Sequence, residues 1–268
     1  MSRSRGSALL LALWSVAILS GIAIVQAVRI SAQLRWASRL NEARQGWYLA
    51  WAATQAAGQE LVLSPDPSMD AKEPVSFGSG WFSYRIQDEQ ARIPINGISS
   101  EQAARLPGFT ERSAEQLVAR REAGKPVVHL AELRLLQDFP DSALEELAGL
   151  VTVYGKGPVN LNTAPAPVLA GLGLSSSMAK EIAGLEDRFS GPEQIIPLLE
   201  NRLGPLSTED QTALGNLIST RLIGTESSFF QVQAEGWTHE KGTHTKVIAV
   251  LEKPASSGRP VVRGWHEV

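Results

Sequence analysis

Four histidines and a scatter of loop carboxylates are the side chains of this 268-residue chain best suited to chemistry. His239 and His244 fall on one expected hairpin loop, where two imidazoles could begin a metal site. No third ligand stands near them, and His129 and His266 lie far away in sequence, so solvation is the simpler reading. There is no HExxH pair for zinc and no GxSxG turn for a nucleophilic serine. With no cysteine, thiol catalysis is excluded. Asp66, Asp70, Asp88, Glu89, Asp138, Asp141, Asp187 and Glu193 place carboxylates in loops or at helix ends, but none sits in EF-hand spacing. Asn160, Asn162 and Thr163 precede Pro165. Short polar side chains before a first-turn proline read as helix N-capping. No catalytic motif stands out among these residues.

The elements that position these residues begin with the N-terminus. MSRSRG carries Arg3 and Arg5, and Ser7 to Val28 then runs without a charge. At about 1.5 Å per residue that run is a helix of roughly 33 Å, enough to cross a hydrocarbon core of about 30 Å. Three readings of this start stay open. An uncleaved anchor would keep Arg3 and Arg5 cytoplasmic and export the rest. A signal peptide would be cut near Val25-Gln26-Ala27, although the apolar run is long for one. A third reading has cleavage between Gly6 and Ser7, which leaves the apolar segment at the new N-terminus.

The exported part would fold without disulfides and needs a real core, which 43% hydrophobic residues can supply. A net charge of −3 argues against a broad nucleic-acid surface. Helical periodicity continues past Val28, with no proline from Arg29 to Leu63. Ile30, Leu34, Ala37, Leu40, Trp47, Trp51, Thr54, Gly58 and Leu61 recur mostly at three- and four-residue steps and mark one face. Trp47 and Trp51 are expected to pack under a sheet, whereas Trp36 could belong to an interface belt or to a partner contact. Gly46 and Gly58 each cost about 1 kcal/mol against alanine in a helix, so packing must hold this half. The helix should end at Ser64-Pro65-Asp66-Pro67. Residues 64 to 80 read as a loop, Trp81 to Gln87 as a strand, and Arg92 to Ile95 as an extended segment that Pro94 confines to an edge or a strand end.

From Gly97 to about Leu222 the pattern is helical, with a weak repeat. Gly108 and Gly173, Ala114 and Ala179, and Leu117 and Ile182 share one offset of 65 residues. Each unit reads as helix, glycine hairpin, helix. Leu106-Pro107-Gly108-Phe109 with Ala114 and Leu117 resembles half of a helix-hairpin-helix. DNA-binding versions contact phosphate through hairpin N–H groups. Thr110 stands where such hairpins have a second glycine, and a structural or protein-binding role is the favoured reading. Strands return at Phe229 to Ala234, Lys246 to Glu252 and Pro260 to Trp265. The order implies an α+β fold with a helical block inserted between strands.

Four features in order carry a resemblance to a known family. They are the basic leader with Gly6-Ser7-Ala8-Leu9-Leu10, the Trp- and Ala-rich helix, the segment Asp88 to Asn96, and Val159-Asn160-Leu161-Asn162-Thr163-Ala164-Pro165. The chain resembles the K component of bacterial type II secretion systems, a large minor pseudopilin. The segment Pro94-Ile95-Asn96-Gly97-Ile98 departs from the family, which often has a second Asn-Leu-Asn-Thr-Ala there, and the chain is somewhat short for the family.

The resemblance implies a pilin-like long N-terminal helix packed on an antiparallel sheet, with an inserted all-α, helix-hairpin-helix-like domain. Residues 1–6 would be the leader, 7–28 the transmembrane part and 29–63 the amphipathic part of the helix. Residues 64–96 and 223–268 would form the α/β domain, and 97–222 the insert. It further implies cleavage between Gly6 and Ser7 by a prepilin peptidase, methylation of Ser7, an inner-membrane anchor with a periplasmic domain, and the I and J minor pseudopilins as partners. Calcium is implied by the resemblance alone, and no nucleic acid is expected. Most pseudopilins carry glutamate at the fifth mature position. Leu11 stands there instead, which leaves no buried charge to pair with a subunit above and points to the filament tip. A minor tip pilin of a type IV pilus, a membrane-anchored DNA-uptake protein and a secreted protein cleaved after Ala27 remain as alternatives.

Overall fold

The structure, a computed structural model, describes residues 3–64, 67, 69–185, 188–239, 242–254 and 258–268, with the backbone alone for residues 3–8. Helix α1 runs unbroken over Arg3–Leu63. At 61 residues it is about 90 Å long. It begins at Arg3, within the stretch expected to be a leader, rather than at Ser7. Among the described residues it is the one helix long and apolar enough to cross a membrane, with a mean hydropathy of 2.2 in its best window. From Leu9 to Asn41 every residue is exposed.

The chain then forms β1 (Val75–Phe77) and β2 (Gly80–Asp88), a 3-10 turn at Glu89–Ala91, and the two-residue strand β3 (Ile93–Pro94). Helices α2 (Ser100–Ala103) and α3 (Glu111–Glu122), a 3-10 segment at Leu130–Leu135, α4 (Ala143–Ala148) and β4 (Val151–Thr152) complete a first helical unit. A second unit repeats the plan: β5 (Val159–Asn160), α5 (Ala166–Gly171), α6 (Ser176–Ala183), a 3-10 turn at Pro192–Gln194, α7 (Ile195–Leu203), α8 (Thr208–Ser219) and β6 (Ile223–Gly224). The chain closes with β7 (Phe229–Trp237), β8 (Thr245–Glu252) and β9 (Val261–Glu267).

The main sheet is antiparallel, in the order β1-β2-β7-β8-β9. One face packs on the second half of α1. The packed helix face is Gly46, Leu49, Ala50, Ala53, Thr54, Ala57, Gly58 and Leu61, all buried. This corrects the expected face, because Ile30, Leu34 and Leu40 are exposed and Trp51 is only partly covered. Small residues win the contact because they let two backbones meet. A Cβ on Gly236 of β7 would lie 2.3 Å from the Gly46 carbonyl oxygen, and one on Gly46 would lie 2.6 Å from Thr245 Oγ1. Trp47 and Trp51 instead stack on each other, with centroids 6.3 Å apart, and both abut Trp265 of β9 at 6.0 and 5.4 Å. They flank the sheet rather than lie under it.

Two apolar cores result. One joins α1 to the sheet through Leu49, Leu61, Phe82, Ile86, Phe230, Val232 and Leu251. The other fills the helical block. Ile93 and Ile95 belong to that second core, so the block begins near residue 92, slightly earlier than expected. β3 is not an edge of the main sheet. It pairs in parallel with β4, as β5 does with β6. These bridges clip the two ends of each unit together.

Candidate functional site

The repeat read from the glycines is real in three dimensions. Gly108 and Gly173 both take positive φ, 78° and 100°, where a side chain would be strained. Thr110 and Ser175 N-cap the following helices through the N–H groups of Ser113 and Met178. The backbone N–H groups of Phe109, Thr110, Gly173 and Leu174 all donate within their own hairpins. Phosphate binding by such hairpins needs free N–H groups; these four are committed, which leaves one at each tip, that of Gly108 and that of Ser175.

The side chains singled out near Pro165 do not cap a helix. Pro165 itself is the N-cap of α5, and no side chain bonds there. Asn162 is a clamp. Its Nδ2 donates to the carbonyls of Phe189 and Thr225, both at 3.0 Å, and its Oδ1 accepts from the Phe189 N–H at 2.8 Å. Asn96 does the same in the first unit. It donates to Val127 O at 2.8 Å and Val153 O at 3.2 Å, and accepts from the Val127 N–H at 2.9 Å. In each unit one amide ties the entering strand to the residue just past the returning strand.

Asn160 and Thr163 serve a different centre, the buried carboxylate of Asp88 at the end of β2. Asp88 Oδ2 accepts from Asn160 Nδ2 at 2.9 Å, Thr163 Oγ1 at 2.5 Å and Ser227 Oγ at 2.6 Å. Its Oδ1 accepts from the Gln90 N–H at 2.8 Å. A buried carboxylate is tolerated when charge-assisted hydrogen bonds replace its hydration.

The next two residues extend the latch. Glu89, 3% exposed, accepts from Thr152 Oγ1 at 2.7 Å and pairs with Arg92. Gln90 donates to Pro158 O at 3.0 Å and accepts from the N–H groups of Ser228 and Phe229 at 2.5 and 3.2 Å. Tyr154 lies against Gly264 of β9, where a Cβ would sit 2.3 Å from its hydroxyl. Burial, with Glu89 nearby, pushes its phenol pKa up. Asp88-Glu89-Gln90 therefore bolts both helical units to the sheet. The sequence shows Asp88 and Glu89 as loop carboxylates, with no local sign of these contacts.

The other candidates fall elsewhere. His244 Nδ1 lies 2.9 Å from Glu235 Oε1, and its ring stacks on Trp237 at 4.9 Å. His129 caps the 3-10 segment by accepting from the Ala131 N–H, and His266 sits on exposed β9. No group of three or more His, Asp or Glu residues positioned for a metal occurs among the described residues. Asp141 pairs with Arg134, while Asp66 and Asp187 lie outside the described residues. Leu11 is 70% exposed on α1. Gly6 and Ser7 are helical in backbone, and their side chains are outside the description.

A pocket of about 480 Å³ beside the latch is lined by Arg85, Gln87, Asp88, Arg92, Thr163 and Gln231. A cleft of about 770 Å³ between the units is bordered by Ser99, Gln102, Arg105, Gly173, Thr212 and Asn216. Neither gathers an acid, a base and a nucleophile in mutual reach.

The model of the helix-hairpin-helix motif matches residues 88–152, the first unit with the latch. The second unit, outside that match, repeats its plan. No curated protein sequence matches the chain. Among solved structures, the chain is similar to one in the crystal structure of the GspK-GspI-GspJ complex from the enterotoxigenic Escherichia coli type 2 secretion system. The TM-score is 0.64 at 14% identity, and the match covers 90% of this chain and 99% of the other. The fold is thus the expected pilin-like one, a long N-terminal helix on an antiparallel sheet with a helical block inserted between two of its strands.

Proposed function

We propose that this protein is a K-type minor pseudopilin, a structural subunit at the tip of a type II secretion pseudopilus. The similarity that spans both the α1–sheet body and the inserted block carries the reading. Pilin-like helices are shared by many filament subunits, but two latched helix-hairpin-helix units between β2 and β7 are a much narrower feature. The apolar first half of α1 serves as a single-pass anchor, with the head outside the inner membrane. The leader is removed between Gly6 and Ser7, and Ser7 becomes the methylated N-terminus. Leu11 at the fifth mature position needs no partner amine above it, and the helical block leaves no room there. The I and J minor pseudopilins are the partners.

Copurification from cells that express the cognate I and J subunits tests this. A stable complex is expected, and its absence would sink the tip role. Mass analysis of the mature N-terminus should find methylated Ser7. An N-terminus at Val28 would mean a secreted protein instead.

Calcium, implied by resemblance alone, would have to draw on carboxylates outside the latch. The oxygens of Asp88 already accept four hydrogen bonds, and Glu89 and Asp141 are paired. The match to the helix-hairpin-helix model favours one second reading, a membrane-anchored DNA-uptake protein. A gel shift with duplex DNA at moderate salt separates the two. No shift is expected, because a net charge of −3 gives no broad basic surface for phosphate.

A further inference from the structure

Beyond the apolar run, α1 carries Arg29, Arg35, Arg39 and Arg44, with Glu42 as the one acid between Arg29 and Arg44. All four arginines are exposed, and none pairs with an acid among the described residues. Glu42 is held by Ser38 at 3.1 Å. Hydrogen bonding to the sheet begins at Ala43, whose carbonyl accepts from Thr245 Oγ1 at 3.4 Å, and Glu267 of β9 borders a groove with residues as far down as Trp36; residues 29 to 41 are nonetheless all exposed and form a stalk. Trp36, 67% exposed, sits in the middle of it.

Heights along the stalk decide what these groups can reach. The helix is continuous, so Arg29, Arg35, Trp36 and Arg39 stand about 1.5, 10, 12 and 16 Å beyond Val28. The polar layer of a bilayer adds about 5–8 Å on each side of the hydrocarbon. Side chains on a helix lean toward its N-terminus, which here is toward the bilayer, and long arginine stems follow that lean. Arg29 and Arg35 thereby enter the headgroup layer. Arg39 stays within a screening length of about 8–10 Å of it, and the same lean brings the Trp36 ring to the outer edge of the layer that aromatic side chains favour. Arg44, about 24 Å up, is beyond both limits.

We propose that Arg29, Arg35 and Arg39, with Trp36, form a collar that docks on anionic phospholipid headgroups and fixes the height and tilt of the head above the bilayer. This rests on α1 being a membrane anchor.

The full chain, reconstituted into vesicles of phosphatidylcholine alone or of phosphatidylcholine with phosphatidylglycerol, tests it. Acrylamide quenching of Trp36 is read as the difference between the wild type and Trp36→Phe. Adding phosphatidylglycerol should lower quenching, because about 1 kcal/mol per arginine, roughly a fivefold bias for each, favours the docked collar. High salt should reverse the gain, and Arg35→Gln with Arg39→Gln should abolish it. These positions are exposed on a stalk outside both cores, so the head should fold in every variant. Equal quenching in both lipids, or indifference to the glutamine variants, overturns the proposal while the anchor stands. Protection that grows with protein density in phosphatidylcholine alone overturns it in favour of a protein partner. Failure to float with vesicles overturns the anchor and the collar together.

Discussion

The two helical units share one plan and are fastened to the sheet by different means. Ile93 and Val159 open them, each donating to the residue before the returning strand, at 2.8 and 2.7 Å. Asn96 and Asn162 follow three residues later and make the same clamp. In the second unit, the residues flanking Leu161-Asn162 are Asn160 and Thr163, which hold Asp88. In the first unit the equivalent positions are Pro94 and Gly97, which offer nothing to a carboxylate. That unit is held through Thr152 to Glu89 instead. So Asn-Leu-Asn-Thr combines two jobs. The second asparagine shapes the unit, whereas the first asparagine and the threonine dock it. The repeat that lacks the docking residues keeps the shaping one.

The sharpest way to break this comparison is Asp88→Ala. It removes the shared acceptor of the buried Asn160 and the half-buried Thr163 and Ser227, and should cost about 3 kcal/mol in denaturant unfolding. Hydrogen exchange should rise more across residues 159–225 than across 93–153. Uniform loosening would contradict separate fastenings. Gly108→Ala follows, at about 3 kcal/mol. Its Cβ would meet the Ala143 Cβ at 2.2 Å on a backbone with positive φ, whereas Gly173→Ala would meet the flexible tip of Arg105 and should cost about 1 kcal/mol. Equal losses would mean that the hairpins are packed alike.

Asn96→Ala and Asn162→Ala should each cost about 2 kcal/mol. Matching drops in Tm would support one shared clamp, and a neutral Asn96→Ala would dissolve the equivalence. The smallest effect concerns acid. Glu132 of the first unit accepts from the N–H groups of His129 and Val128 and pairs with Arg120. These contacts, the His129 N–H foremost, hold its pKa below the ordinary carboxylate value. A depressed folded pKa means stability that is present above the unfolded value, about 4.3, and lost as pH falls through the folded one. The second unit's turn at Pro192 has no side-chain cap. Below about pH 4.3, exchange across 128–136 should rise in the wild type and much less in Glu132→Gln, which keeps the hydrogen bonds without the titration.

Periodicity carried the large elements. The long helix, the strands near 81–87, 229–234 and 246–252, and the glycine repeat were legible because each imposes a period or a backbone requirement over several residues. The bridges β3–β4 and β5–β6 are two residues long and leave no period to read. The face of α1 was misjudged because size was taken for burial. The sheet selects Gly46, Ala50 and Ala53, while Trp47 and Trp51 go to the flank. The latch was illegible for a different reason. Asp88 meets partners 72, 75 and 139 residues away, and no local pattern encodes such a meeting. Only the identity of the short polar residues before Pro165 hinted at it, and capping explained them equally well.

The register of β2 against β7 has a consequence for how the protein comes to exist. Asp88 sits opposite Phe230, so the whole helical block leaves and re-enters the sheet at one rung. Zipping those strands while the intervening chain is loose would close a loop of about 140 residues, an entropic toll near 4 kcal/mol. A block already folded presents its two ends side by side, and the toll shrinks to that of a short turn. Closing the sheet around an insert that is already folded is therefore the less costly order of assembly.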